Sequence, residues 1–266
     1  MEIAQSLQQS EIFNAALTRL GRAPSRLPLP DGPAFIMRRF GLSLATRPRD
    51  CAKAYTALAK KRIRLINAES ESAALSELGY RQILQPAHIA ELQLSPHEAA
   101  LREAMHPKWR RSLARFEADL PARSTLSHRA FDPERDAWLL KAEAKQARAR
   151  RYRSYPAALT LAMSQASPKA LRLFTLSHDD RPQAAMLFVL HGIRATYHIG
   201  WTSAEGRDHG AHWLLLWKAM RELPARRITE LELGLIDTDD GAPLARFKLG
   251  SGARPRSLGG TWARLF

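Results

Sequence analysis

Residues 231–252, LELGLIDTDDGAPLARFKLGSG, decide how this chain folds. The first five, LELGL, alternate leucine with other residue types, which is the period of a strand with one buried face. Asp239, Asp240 and Gly241 then predict a tight turn. Residues 242–249 predict a short helix that carries Phe247 and Lys248 and ends at a Gly250 cap. A strand, an acidic turn and a basic helix in this order predict one wall of a ligand site.

The residues upstream of this stretch predict a regular alternation of helices and strands. After a strand at 123–130, the predicted helices cover residues 132–150, 156–166 and 208–222, and the predicted strands cover 171–177, 184–191, 194–201 and 228–235. The first half of the chain shows a similar alternation of predicted strands and helices. Mixed elements with short connections predict an α/β (α+β) fold rather than a helical bundle.

Three segments carry a family resemblance. The strand, the turn and the Phe247–Lys248 pair followed by a glycine resemble the FemAB-like (FemX-like) acyltransferases, which are double-domain relatives of the GNAT acetyltransferases. Residues 106–113, HPKWRRSL, are similar to the K-W-R-x-x-L helix start of that family, and residues 197–201, YHIGW, are similar to its central strand. The resemblance implies two tandem GNAT-like domains, with the N-terminal one degenerate.

We place the boundary between these domains at Pro121. Residues 1–120 then form the degenerate GNAT-like domain and residues 121–266 the GNAT-like acyltransferase domain. No low-complexity linker separates them, so the sequence predicts that the two halves share an interface.

Composition limits the classes of protein that the chain can belong to. Of its 266 residues, 45% are hydrophobic, which is enough for sizeable cores, and no apolar run reaches the ~20 residues of a membrane span. The N-terminal residues lack the basic-then-apolar order of a secretion signal. A single cysteine, Cys51, excludes an internal disulfide framework. These features predict a cytoplasmic protein of unknown oligomeric state.

The net charge of +15 favours anionic partners such as nucleic acid, a phosphorylated co-substrate or an anionic membrane surface. The resemblance implies an N-acyltransferase that moves an acyl or aminoacyl group from an activated donor to a small-molecule or peptide amine. The donor is then an aminoacyl-tRNA or an acyl-coenzyme A, with no tightly bound cofactor. The charge and the bulk of His212 favour tRNA. A non-catalytic, basic nucleic-acid-binding protein on a decayed acyltransferase fold is the alternative.

Lys248 is the first candidate for catalysis. A lysine fixed on a short helix can present a positive charge to a developing oxyanion, and the resemblance implies this role. Asp237, just after the strand, is a candidate to accept a proton or orient Lys248, although a turn-forming aspartate is an equally good interpretation. His198 is a candidate general base, although a half-buried structural histidine is commoner.

Two segments predict the donor site. Residues 207–212, RDHGAH, resemble the GNAT turn Q/R-x-x-G-x-G/A, whose amides hold a pyrophosphate at a helix N-terminus, and Arg207, Gly210 and Ala211 fit that pattern. Asp208 is the alternative, an ordinary helix cap. On the strand at 194–201, Tyr197 and Trp201 should share a face with Ile199. The resemblance adds Phe247 to the donor-binding set.

Basic residues suggest a further surface for an acceptor or nucleic acid. Lys141, Lys145, Arg148 and Tyr152 fall on one face of a predicted helix, and Arg150, Arg151 and Arg153 widen it. A plain solvated helix face is the alternative. The resembling helix start adds Lys108, Trp109 and Arg110. His209 and His212 have H-x-x-H spacing but no third ligand in a known pattern, so no metal site is expected.

Overall fold

The computed structural model describes residues 5–29, 32–239 and 241–264. Ten α-helices are formed within them: α1 (Glu11–Arg19), α2 (Ala52–Lys60), α3 (Ala73–Glu77), α4 (Glu98–Ala104), α5 (Pro107–Ala118), α6 (Ala137–Arg150), α7 (Ala157–Ala166), α8 (Ala204–Asp208), α9 (Ala211–Glu222) and α10 (Ala242–Gly250). Short 3-10 helices cover Leu7–Gln9 and Pro224–Arg226. In the described part of the chain, no helix combines the length and apolar character needed to cross a membrane.

The same residues form thirteen strands: β1 (Ser25–Leu27), β2 (Ala34–Arg39), β3 (Leu42–Thr46), β4 (Leu65–Asn67), β5 (Arg81–Leu84), β6 (His88–Gln93), β7 (Ser124–Ala130), β8 (Leu171–His178), β9 (Arg181–His191), β10 (Arg194–Thr202), β11 (Glu230–Leu235), β12 (Arg254–Ser257) and β13 (Thr261–Ala263). The mixed α/β class predicted from the sequence is confirmed.

The strands form two sheets that exchange strands across the predicted boundary at Pro121. The first sheet has the order β1-β2-β3-β4-β13-β5, so its fifth position is filled by a strand from the far end of the chain. The second has the order β12-β6-β11-β10-β9-β8-β7, in which β6 comes from the first half. Each half of the sequence therefore completes the sheet of the other. The boundary itself stays a prediction.

Helices cover both faces of the second sheet. The alternating side chains of β8 and β9 send Phe174 and Phe188 into a core with α5 and α9, and Leu173 and Leu187 into a core with α1, α6 and α7. A third core lies between the first sheet and α2, where Tyr55 is fully buried. Strands that are apolar on both sides are the expected consequence of a sheet enclosed between helices.

Three local predictions were wrong. The helix predicted from Asp132 begins at Ala137, because the Asp132 carboxylate accepts backbone hydrogen bonds of a preceding turn, from Glu134 and Arg135 at 3.0 Å each. The helix predicted for 208–222 begins only at Ala211, because Asp208 ends the separate short helix α8 and a left-handed Gly210 caps α9.

The predicted C-terminal cap Gly250 instead lies inside α10. A Cβ built at Gly250 would stand 2.7 Å from Trp109 Cδ1, so glycine permits α5 and α10 to approach closely. The positive φ that a glycine cap would supply occurs two residues later, at Gly252, with φ +100°. Asp240, part of the predicted turn, is outside the described residues.

A buried network of arginine and glutamate side chains joins the two sheets. Arg47, which follows β3, donates to both oxygens of Glu232 at 2.8 Å and to Glu69 at 2.6 and 3.1 Å. The Arg47 and Glu232 side chains are only 8% and 9% exposed. The remaining members are Glu91, Arg194, Glu230 and Arg256.

The ionisation of Glu69 shows that this network is held together by charge. Burial raises the pKa of Glu69, but the hydrogen bonds and charge of Arg47, with those of Arg256, outweigh burial and lower the pKa below its ordinary value. The carboxylate is therefore ionised in the interior. A buried charge of this kind is tolerated only while its partners remain in place.

Removing one arginine from this network should destabilise the whole protein. We expect Arg47→Met to lower the free energy of unfolding by about 3–5 kcal/mol, because two buried carboxylates lose their main partner. Chemical denaturation measures this quantity. The matched control is Arg26→Met, since Arg26 pairs with Glu11 in an exposed ion pair, with side chains 62% and 68% exposed, that is worth about 1 kcal/mol or less. Equal losses for the two variants would contradict this account of the interface.

Candidate active site

The candidate site begins where two parallel strands separate. β10 and β11 are paired only from Arg194↔Glu230 to Thr196↔Glu232. Beyond that point β10 continues against β9, while β11 pairs with β6, up to Leu235↔Ile89. The second half of β10 and the end of β11 therefore have no strand between them. Backbone groups at such a separation are available to a ligand.

A β-bulge reorients the side chains of β10. The pairing with β9 shifts between Tyr197 and Ile199. Tyr197 therefore packs on the α5–α9 side of the sheet, whereas Ile199 and Trp201 belong to the core on the α6–α7 side. The expectation that all three share one face was wrong, because an extra residue in a strand reverses the alternation beyond it.

Tyr197 lies flat along its own strand. Its ring centroid is 5.6 Å from that of Phe188, and its hydroxyl occupies the place where a Cβ on Gly200 would be, 1.6 Å from that position. A glycine is therefore needed at position 200 for the phenol to fit. Burial raises the pKa of Tyr197, so its hydroxyl is neutral at physiological pH.

Lys248 on α10 points into the end of β11. Its Nζ donates a hydrogen bond of 2.7 Å to the carbonyl oxygen of Leu235, and it is 3.8 Å from the position of a Cβ on Gly234. The residue is only 6% exposed, whereas Leu235 is 60% exposed, so the ammonium lies just below the surface. Burial lowers the pKa of Lys248 to about 8, and the charge of Glu232 opposes this only in part.

Two cavities elsewhere in the molecule do not include Lys248. A cavity of about 440 Å³ lies between α1 and the end of β9, and one of about 320 Å³ lies between α1, α7 and strands β2 and β3 of the first sheet. Lys248 lines neither of these two cavities. The first is lined by residues that include Arg49 and His191, the second by residues that include Tyr155.

Phe247 is anchored in an aromatic cluster behind Lys248. Its ring centroid lies 4.9 Å from that of Trp213, 6.1 Å from that of Trp109 and 6.4 Å from that of His212. Trp109 is 5% exposed, so it supports Phe247 from within the core. A contact role for Trp109 toward an acceptor or nucleic acid stays a prediction, and it would require this buried ring to become accessible. Phe116 extends the cluster.

His212 closes the gap between β10 and α9. Its Nε2 is 3.1 Å from the carbonyl oxygen of Trp201, and since a carbonyl only accepts, Nε2 carries the hydrogen. Burial lowers the pKa of His212 to about 4, although the hydrogen bond to Trp201 opposes the shift. The imidazole is therefore neutral at physiological pH and occupies the first turn of α9 without adding positive charge.

The turn that resembles a pyrophosphate site is also covered from the α5 side. Gly210 is the N-cap of α9 with φ +60°, and a Cβ built on it would come within 2.1 Å of the Phe116 ring. The next residue, Ala211, is fully buried. Asp208 ends α8 and does not cap α9, contrary to the alternative suggested by the sequence. Arg207 is exposed, and its guanidinium donates to the carbonyl oxygen of Thr202 at 3.2 Å.

Two of the proposed catalytic residues are not in contact with Lys248. His198 bonds to Thr160 Oγ1 at 2.8 Å and stacks on Tyr155, and burial lowers its pKa to about 4. It therefore lies on the helix α7 side of the sheet, away from Lys248. The exposed Asp237 accepts the backbone N–H of Asp239 at 2.9 Å, as a turn-forming aspartate does. Lys248 is oriented by a carbonyl instead.

The sequence did not reveal how the end of α6 attaches to the site. Gln146 donates to the carbonyl oxygen of Gly200 at 2.9 Å and to the Tyr152 hydroxyl at 3.0 Å, and that hydroxyl donates to Glu143 at 3.3 Å. Tyr152 follows the helix rather than continuing its face, because the left-handed Arg151 ends α6. A glutamine on a helix face gives no signal of such a contact.

The basic residues predicted for an acceptor or nucleic acid lie in two places. Arg148 and Arg151, on and just after α6, are exposed, as are Lys141 and Lys145. Lys108 and Arg110 are exposed at the start of α5. Among the described residues, no group of three or more His, Cys, Asp or Glu side chains is arranged to hold a metal ion.

Residues 107–248, more than half of the chain, match the family model described as the acetyltransferase (GNAT) domain. No curated protein matches the chain. The match begins at α5 and ends at Lys248, so it spans every residue of the site described above.

Solved structures with a similar fold cover almost the whole chain. FemX superposes with a TM-score of 0.77 at 12% identity over 98% of this chain and 92% of its own. The C-terminal domain of a proposed lysylphosphatidylglycerol synthetase from Agrobacterium fabrum superposes with a TM-score of 0.62 at 15% identity, over 98% and 89%. A protein of unknown function from Bacteroides thetaiotaomicron gives 0.65 at 13% identity, over 98% and 91%. The predicted α/β fold with a GNAT-like second half is confirmed. That the first half is a degenerate GNAT-like domain stays a prediction.

Replacing Lys248 by methionine should stabilise the protein at neutral pH. In the folded state the pKa of Lys248 is about 8 against 10.5 for an ordinary lysine, so below pH 8 its burial as a cation destabilises the fold. We expect Lys248→Met to raise the free energy of unfolding at pH 7 by about 1–3 kcal/mol. Between pH 8 and 10.5 the folded wild type binds fewer protons than the unfolded chain, so its stability rises and the advantage of the variant disappears.

Chemical denaturation at several pH values measures this difference. The control is Lys169→Met, since Lys169 is exposed and its removal should leave the pH dependence unchanged. Parallel stability curves for wild type and Lys248→Met would show that Lys248 is not buried as a cation.

Proposed function

The chain belongs to the acetyltransferase (GNAT) domain family, and we propose that it transfers an aminoacyl group from aminoacyl-tRNA to an amine. The family and fold make the chain an acyltransferase of the GNAT type. The donor, the acceptor and the roles of individual residues are the subject of the proposal. Acyl-coenzyme A is the competing donor.

The observation that carries the choice of donor is the position of His212. In the GNAT turn that residues 207–212 resemble, a small residue stands at position 212, and the bare amides of the turn hold a pyrophosphate. Here the imidazole fills the first turn of α9 and is hydrogen-bonded to Trp201. Phe116 covers Gly210 from the other side. A coenzyme A pyrophosphate would have to displace one of these rings, whereas the 3′ end of a tRNA brings no pyrophosphate.

Positive charge around the turn supports the same donor. Arg207 lies at the end of α8, directly before this turn, and the charges of Arg150 and Arg207 contribute to the lowered pKa of His212. The hydrogen bond from Gln146 to the carbonyl oxygen of Gly200 places the basic end of α6 beside β10. Exposed arginines along a path from α6 suit a phosphodiester backbone.

Lys248 is the residue that we assign to catalysis. The acceptor amine attacks the ester carbonyl of the aminoacyl group, and the carbonyl oxygen becomes an oxyanion. The Lys248 ammonium, fixed by the Leu235 carbonyl, stabilises that charge. The carbon–oxygen bond to the ribose then breaks, an amide bond remains, and the proton lost by the amine passes to the leaving ribose hydroxyl. Phe247 packs behind the lysine and holds α10 in place.

A non-catalytic nucleic-acid-binding protein on the same fold is the second candidate. The observation in its favour is that Lys248 is 6% exposed and lines neither cavity. Removal of the Lys248 ammonium distinguishes the two candidates. It should slow turnover if the protein is an enzyme, and it should change nucleic-acid binding little if the protein only binds.

We expect Lys248→Met to lower turnover about 100- to 1000-fold while donor affinity changes little, because the ammonium acts on charge that develops in the transition state. In the wild type, turnover should also fall above pH 8 as Lys248 loses its proton. Single-turnover transfer of a radiolabelled amino acid measures the rate. Phe247→Ala should impair both binding and turnover, and Lys169→Met neither. If Lys248→Met keeps most of the activity, the ammonium is not catalytic.

We expect the wild type to bind aminoacyl-tRNA and not coenzyme A, and His212→Ala to gain measurable affinity for coenzyme A. Alanine restores the small residue of the GNAT turn, so the pyrophosphate finds room. Isothermal titration with each ligand provides the measurement. His209→Ala, three residues earlier at the same turn, is the matched control and should bind no coenzyme A.

The binding of tRNA can be tested separately through its dependence on salt concentration. With a handful of phosphate contacts, affinity should fall at least tenfold between low and physiological salt, and further in the Arg148→Glu, Arg151→Glu double variant. Tight coenzyme A binding by the wild type, without tRNA binding, would replace the proposed donor by an acyl-coenzyme A.

A further inference from the structure

The hairpin between β2 and β3 has a phenylalanine where a hairpin turn normally has asparagine or glycine. Arg39 pairs with Leu42, so the loop consists of Phe40 and Gly41 alone. Their φ angles are +49° and +72°, which defines a type I′ turn. A bulky L-residue in the left-handed region is strained by about 1–2 kcal/mol. The fold itself therefore gives no reason for phenylalanine at position 40.

Phe40 is also the most exposed of the large hydrophobic side chains in the described part of the chain. It is 88% exposed, and its neighbour Leu42 is 48% exposed. Neither belongs to any of the three cores. The guanidinium of Arg39 lies 4.8 Å from the centroid of the Phe40 ring. Two apolar side chains thus project from the tip of a hairpin into solvent.

The two segments nearest this tip carry only basic charges. Ser43 Oγ accepts the backbone N–H of Arg64 at 3.0 Å, which places the link between α2 and β4 beside the hairpin. Residues 33–49 and 51–68 contain no aspartate or glutamate. Their exposed cations include Arg38, Arg39, Lys60, Lys61, Arg62 and Arg64. None of these six makes an ion pair within the described residues.

We propose that this hairpin tip docks the protein on an anionic phospholipid bilayer, with Phe40 and Leu42 in the interface and the surrounding cations on lipid phosphates. Apolar side chains next to exposed cations are the combination that binds an anionic membrane surface without crossing it. The strained backbone at Phe40 is then explained by where it places the ring.

A nucleic acid is the other polyanion that this charge would attract. Aromatic side chains that stack on bases lie on platforms or in basic grooves that follow the strand. Phe40 instead caps a convex tip, and its neighbour Leu42 has no π-face to stack on a base. The geometry therefore favours a bilayer, and RNA binding becomes an outcome of the test.

The experiment is co-sedimentation of the full chain with vesicles. Vesicles of equimolar phosphatidylcholine and phosphatidylglycerol should bind the protein, and vesicles of phosphatidylcholine alone should bind it much more weakly. Phe40→Asn should weaken binding about tenfold, because the apolar anchor is lost. Arg38→Gln with Arg39→Gln should weaken it about fivefold per cation. Asparagine tolerates the left-handed turn, so Phe40→Asn should keep or raise the melting temperature.

Matched controls distinguish binding by the hairpin tip from a general effect of exposed apolar or positively charged side chains. Leu84→Asn removes a side chain that is 61% exposed at the other end of the same sheet, and Arg181→Gln with Arg226→Gln removes two exposed cations elsewhere. Both controls should bind vesicles nearly as the wild type does. No preference for anionic vesicles, or equal binding by Phe40→Asn and wild type, would overturn the proposal. Loss of single-stranded RNA binding in Phe40→Asn, with vesicle binding intact, would overturn it in favour of nucleic acid.

Discussion

The buried pairing of Arg47 with Glu232 and Glu69 is the interaction on which the rest of this structure depends. A carboxylate in the interior is tolerated only beside a fixed cation, so the segment after β3 is locked onto β11. Arg194 on β10 belongs to the same network through Glu230 and Glu69. The network therefore holds β10 and β11 together at one end. At their other end the same two strands are free to separate, and that separation creates the candidate site.

The buried polar groups of the candidate site lower the free energy of unfolding of the protein. Lys248 is held as a cation in surroundings that lower its pKa, and His212 is buried as a neutral imidazole. Neither is compensated by an ion pair among the described residues, and both are supported by single hydrogen bonds to backbone carbonyls. Aromatic packing around Phe247 keeps these groups in place. Ionisable groups with shifted pKa values cluster at functional sites, which is the reason for placing the candidate site here.

Short-range patterns predicted most of the second sheet and the helix that carries Lys248, because alternation and capping are local properties of the chain. Local patterns could not show the bulge at His198, since the sequence YHIGW alternates as an ordinary strand does. They also could not show that Gly250 serves the approach of Trp109 rather than a helix end. Arg47 and Glu232 are 185 residues apart, and no spacing rule connects charges at such a distance. What the sequence left open was decided by contacts between distant segments.

The exchange of strands between the two sheets has a consequence for synthesis of the chain. The first sheet has a vacant position between β4 and β5 until β13, residues Thr261–Ala263, has been made. The first half therefore cannot complete its hydrogen-bonded ladder while it leaves the ribosome, although domains usually fold in order from the N-terminus. Its unpaired strand edges stay open until then, and closing them requires contacts of very high sequence separation, which form slowly. The ladder of the first sheet can therefore be completed only after the C-terminal strand has been made.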